Sequence, residues 1–88
     1  MASSHEIAND LAAWSRFWEP RCRRTARTLY HAACLIRGAA SGDRADGHAL
    51  TKAILSLYDL SSEIQGRCLA SVLRGAEELQ RLQREASA

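Results

Sequence analysis

The chain has 88 residues, 47% apolar and 25% charged, with five aromatic side chains and a formal net charge of +2. That length admits one small domain, and the apolar fraction argues against wholesale disorder. One proline and five glycines exclude collagen-like and low-complexity classes.

Predicted elements are helical nearly throughout. Ser3 to Glu6 fits a capping box, in which the serine hydroxyl accepts from the third helical N–H. Ile7, Leu11, Trp14 and Trp18 follow at helical spacing, which predicts a helix over about 4–19. Pro20 lacks an N–H and disfavours helical geometry at Glu19, so it either kinks one long helix or separates two. A second helix is predicted over about 21–37, where Cys22, Ala26, Leu29, Ala33 and Ile36 fall within an arc of about 80°. Gly38 is placed to end it in a left-handed conformation, and the glycine- and aspartate-rich stretch 38–47 reads as a loop.

Beyond the loop, Leu50, Ile54, Leu57, Ile64, Cys68, Val72, Leu79 and Leu82 keep a near-heptad rhythm. Ser62 to Gln65 has the form of a second capping box, but the stripe runs in phase across it. One continuous helix over about 48–85 is therefore expected, roughly 57 Å long at 1.5 Å per residue. The fold class is all-α. Residues 1–88 form a single helical domain, either an antiparallel helical hairpin or an irregular three-helix bundle with one long C-terminal helix. Such a hairpin leaves apolar surface uncovered, so self-association into a homodimer or larger homo-oligomer is expected to complete it. In a hairpin turning near residue 43, position n faces roughly position 86−n, which sets Cys68 beside Trp18 and Cys34 beside Lys52. In outline this is similar to small secretion co-chaperones and granule-coating phasins, through helix length and heptad rhythm alone.

Two surface features bear on function. Trp14, Phe17 and Trp18 gather three of the five aromatics into five residues. They serve either as the main core plug of an aromatic-poor protein or as anchors for a partner, since tryptophan beside arginine is typical of interface hot spots. The second feature is charge. Eleven of the twelve basic residues are arginine, and residues 16–37 hold six arginines against Glu19 alone, a charge of +5 where the rest of the chain carries −3. Helical spacing puts Arg23, Arg24, Arg27 and His31 on one basic face, opposite the apolar seam. It is either a solvated face or a surface whose guanidinium forks grip carboxylate or phosphate.

Ser62, Gly66 and Ala70 form a ridge of small residues on the long helix, a candidate for close helix–helix approach. Cys22, Cys34 and Cys68 are odd in number and lack a CxxC pair, which signals neither a disulfide framework nor a zinc site. Cys34 lies on the basic side, where its neighbours could favour a thiolate, but an inert cysteine serving as a small hydrophobe is the expectation. No cofactor or metal is implied, no carboxylate pair or nucleophile elbow suggests an enzyme, and His48 stands alone at a loop edge. Neither a signal sequence nor a membrane span of about 18 apolar residues is present, so a cytoplasmic setting is expected. The functional expectation is a protein–protein interaction module: an adaptor, co-chaperone or inhibitor. It would dock an acidic partner through Trp14, Phe17 and Trp18 with Arg16, Arg23, Arg24 and Arg27. The alternative is a binder of an anionic polymer or surface, nucleic acid or lipid, through Arg16–Arg37.

Overall fold

The computed structural model describes residues 3–44 and 46–87. Met1, Ala2 and Ala88 at the ends, and Ala45 in the expected loop, lie outside the described residues. Four helices are present: α1 (Ser4–Trp18), α2 (Arg23–Ala40), α3 (Gly47–Ser61) and α4 (Gly66–Ser87). No strand occurs among the described residues, and the protein is all-α.

Each boundary has a local cause. Ser3 caps α1 by accepting from the Glu6 N–H at 3.2 Å. Pro20 separates α1 from α2 rather than kinking one helix. The Arg21 and Cys22 amides turn back onto the Trp18 carbonyl at 2.8 and 2.6 Å, and Cys22 is extended (φ −157°) before α2 begins. Gly38 does not terminate α2, which continues to Ala40. Gly42 takes the left-handed conformation instead (φ +94°), while the Gly38 carbonyl accepts from Ser41 and Asp43. Asp46 then caps α3 from its side chain.

The long helix expected over 48–85 is interrupted at 62–65. Ser61 and Ser62 turn their hydroxyls back onto the carbonyls of Tyr58 and Asp59, at 2.6 and 2.8 Å, and so satisfy the C-terminal end of α3. Ser62 is thus a C-cap of α3 and not an N-cap of α4. Gly66 enters α4 with φ +71°, a conformation that costs side-chain-bearing residues about 1–2 kcal/mol. The apolar rhythm could not reveal this break. Leu57, Leu60, Ile64 and Cys68 are all buried, and their spacing is the same whether the chain continues or turns.

The helices alternate in direction. Ser15 meets Ala26 and Asn9 meets Arg37 across α1 and α2. Thr51 meets Gln83 and Tyr58 meets Gln80 across α3 and α4. Trp14 meets Ser71 and Trp18 meets Cys68 across α1 and α4. α2 also packs on α3 and α4, whereas no described Cα of α1 comes within 8 Å of one in α3. One core cluster draws on all four helices, with Leu11, Leu29, Ile36, Leu50, Leu57, Val72 and Leu79 fully buried. Each such side chain contributes about 1.5–3 kcal/mol of apolar burial.

The close helix approach lies elsewhere than expected. Ser62, Gly66 and Ala70 are all exposed, and nothing stands within 4 Å of where a Gly66 Cβ would lie. They form no helical ridge, because the chain turns between the first and the last of them. Gly75 is the glycine at an approach: a Cβ there would fall 2.8 Å from Leu11 Cδ1.

At the other end of the α1–α4 seam, the buried Glu78 accepts from the Ser4 hydroxyl. It also receives the guanidinium of Arg81, Nε at 2.6 Å and Nη2 at 3.0 Å. The fork from Arg81, aided by Ser4, holds the Glu78 carboxyl below the usual carboxylate range against the opposing effect of burial.

Two measurements follow. Alanine for glycine in a helix ordinarily gains about 1 kcal/mol; Gly75→Ala is expected to lose about 1 kcal/mol net in urea unfolding, because fully buried Leu11 has to move. In a Leu11→Ala background the same substitution becomes stabilising. Glu78→Gln is expected to lower stability at neutral pH by about 1–3 kcal/mol. Because the folded pKa is depressed, the Glu78 contribution is complete above the unfolded value of about 4.3 and fades as pH falls through the folded one. The two proteins' unfolding midpoints therefore converge in acid.

Candidate docking surface on the α1 and α2 side

Trp14 and Trp18 face α4. Their indole N–H groups donate to Ser71 Oγ at 3.1 Å and to Cys68 Sγ at 3.5 Å, and both rings pack against the core. The Trp18–Cys68 pairing expected from the 86−n register is therefore present, although the hairpin that suggested it is not. Phe17 sits edge-on to both indoles, with ring centroids 5.4 and 5.6 Å apart, and is 43% exposed. Arg21 covers it with its guanidinium 4.1 Å from the ring centre and donates to the Phe17 carbonyl at 2.7 Å. Of the three aromatics proposed as anchors, Phe17 alone is classed as exposed.

Arg16, Arg23, Arg24 and Arg27 are all exposed. The structure divides the basic face that helical spacing drew on α2, because α2 has a neighbour on either side. Arg23 and Arg27 turn towards α1. Arg24 lies with Cys22, Asp59 and Glu63 in a cleft on another side, and His31 lies with His48 and Lys52 between α2 and α3. In exchange, the α1 side gathers residues from both helices. Arg16 and Glu19 of the α1 segment join Arg23, Arg27, Tyr30 and Arg37 of α2 around a groove of about 610 Å³. Ala12, Ser15 and Ala26 complete its lining, and Ser15 Oγ donates to the Ala26 carbonyl at 2.8 Å.

Among the described residues, none of the arginines between 16 and 37 forms a salt bridge; the ion pairs present involve Arg74 and Arg81. Arg37 donates to Asn9 Oδ1 at 2.9 Å, which fixes one end of the groove. Arg23 and Arg24 also occupy the first turn of α2, which contains no acidic residue, so their charge opposes the helix dipole. Composition pointed to the arginines but not to Tyr30, which is 55% exposed, or to Arg37 as a groove residue. The signal was available in spacing: Arg23, Arg27, Tyr30 and Arg37 share one helical stripe.

The cysteines do not converge. Cys68 is buried and its thiol is pushed up by that burial, whereas Cys34 is exposed. The thiol whose surroundings favour the thiolate is Cys22, held below its usual range chiefly by the Thr25 hydroxyl at 3.3 Å. Among the described residues no three His, Cys, Asp or Glu side chains come together to hold a metal ion. None of the described helices is long and apolar enough to cross a membrane. The chain matches no known protein-family model, no characterised protein and no solved structure.

The electrostatics give a test. Arg23→Glu replaces an unfavourable helix-dipole interaction and creates an i, i+4 pair with Arg27, so it is expected to stabilise the fold by about 0.5–1 kcal/mol. Thermal unfolding at low salt would show a higher midpoint, and added salt would erase the gain.

Proposed function

We propose that this chain is a non-enzymatic interaction module, an adaptor, co-chaperone or inhibitor of a larger complex, that takes an acidic protein partner on the α1 and α2 side. The observation that carries this reading is the groove lined by Arg16, Arg23, Arg27 and Arg37, with no salt bridge to any of them among the described residues. Guanidinium groups that form no salt bridge on a folded surface contribute nothing to the fold as ion pairs, yet they present planar forks suited to carboxylates. Phe17, capped by Arg21, and Tyr30 supply exposed aromatic area beside that charge. Trp14 and Trp18 are engaged with α4, and their part in docking is to fix the orientation of α1.

Affinity capture from the native cell, with the wild type and an Arg23→Glu/Arg27→Glu double variant in parallel, tests this reading. An acidic protein retained by the wild type after nuclease treatment and lost from the variant is the expected result. Retention by both proteins overturns the placement. Release by nuclease, or capture of anionic vesicles in its stead, transfers the same arginines to an anionic polymer or lipid surface, whose binding would fall steeply with salt.

A further inference from the structure

We propose that the segment this groove receives is an acidic amphipathic α-helix, laid along the groove with small residues downward and carboxylates on its flanks. This deepens the reading above and rests on it. Three features of the groove point to a helix rather than to an extended strand or a nucleic acid strand.

The first is the wall. Ala12, Ser15, Arg16 and Glu19 stand at i, i+3, i+4 and i+7 along one side, and Arg23, Ala26, Arg27 and Tyr30 repeat that spacing along the other. Arg37 extends the second wall by two further turns, so Arg23 to Arg37 spans about 21 Å, the length of roughly 14 helical residues. Carboxylates one turn apart on an occupying helix match Arg23 and Arg27, themselves one turn apart.

The second feature is the floor, formed where the two walls meet: Ala12, Ser15 and Ala26 are the small, buried residues at their base. Small residues between two helices let a third backbone approach closely. The Ser15 hydroxyl is already bonded to the Ala26 carbonyl, and beyond the first turn of α2, whose N–H groups carry no side-chain cap, the backbone of both walls is helical and internally paired. An extended strand laid there would find no backbone partners for its own N–H and C=O groups, whereas a helix brings its pairing with it.

The third is the distribution of charge and aromatic area. Glu19 stands in the same groove as the four arginines and repels carboxylate and phosphate alike; a helix can set a neutral or basic side chain opposite it, whereas a phosphate backbone is charged at every step. Tyr30 is the lone aromatic in the lining, so the row of stacking platforms on which single strands are held is missing from it.

The probe is a fluorescein-labelled peptide of about 14 residues, matched to the groove's length, with an alanine stripe flanked by glutamates at i, i+4. It is compared with a version carrying a central proline, a version with lysine for glutamate, and a single-stranded oligonucleotide of equal charge. Fluorescence anisotropy is expected to show binding of the acidic peptide with about tenfold weakening by proline, which breaks the helix. The lysine peptide does not bind, and Arg23→Glu/Arg27→Glu, which leaves the core untouched, weakens the acidic peptide by at least about tenfold. Circular dichroism of the mixture gains helical signal. Equal binding of the proline and parent peptides overturns the helical occupant while the acidic-partner reading stands. Failure of both acidic peptides, indifference to the double variant, or tighter binding of the oligonucleotide overturns both.

Discussion

Leu11 lies against the bare backbone of Gly75, and that approach brings the first and last helices of the chain together. A side chain at Gly75 would force the Leu11 methyl groups to shift within the seam that also holds the indole bonds of Trp14 and Trp18 to Ser71 and Cys68. Glu78, Ser4 and Arg81 secure the same seam at its other end. With α1 held on α4 by one stripe, another of its stripes faces α2. The arginine-lined groove opens along that second contact, so the seam fixes where the docking surface lies.

Charge and stability pull apart on this molecule. The salt bridges that assist folding sit on α4, where Arg81 joins Glu78 and Glu85 and Arg74 approaches Asp10. The arginines of α1 and α2 take no part in them, and two of these oppose the dipole of the helix they begin. A substitution such as Arg23→Glu therefore separates the two roles, favouring the fold while removing a docking contact. Such a separation is the expected mark of a surface shaped by an external partner rather than by packing.

A chain of 88 residues has little surplus core, and this one obtains its core by folding its apolar stripes onto one another. Three short turns do this: Pro20 with the Trp18 carbonyl, Gly42 after α2, and Gly66 after the two serines. Each places neighbouring helices antiparallel, which is the arrangement that short connections impose.

The helices themselves, the Ser3 cap, the buried stripes and the pairing of Trp18 with Cys68 were legible in the residues, because period and capping chemistry are local and α1 and α4 run antiparallel in either arrangement. The break at 62–65 was signalled only by the capping-box form of Ser62 to Gln65, against which the continuous apolar stripe argued. A turn that keeps the apolar residues at helical spacing leaves the pattern unchanged, and Gly66 reads alike as an interior defect or as a left-handed entry. Periodicity also drew the arginines of α2 as one face, since a helix considered alone has only an inside and an outside. Neighbours on both flanks divided that face, sending Arg23 and Arg27 to the α1 groove, and Arg24 and His31 to two other clefts. Residue chemistry determined that this is an all-α chain with its positive charge concentrated between positions 16 and 37. Only packing decided which of those charges stand together, because a helix acquires distinct flanks when other helices lie against it.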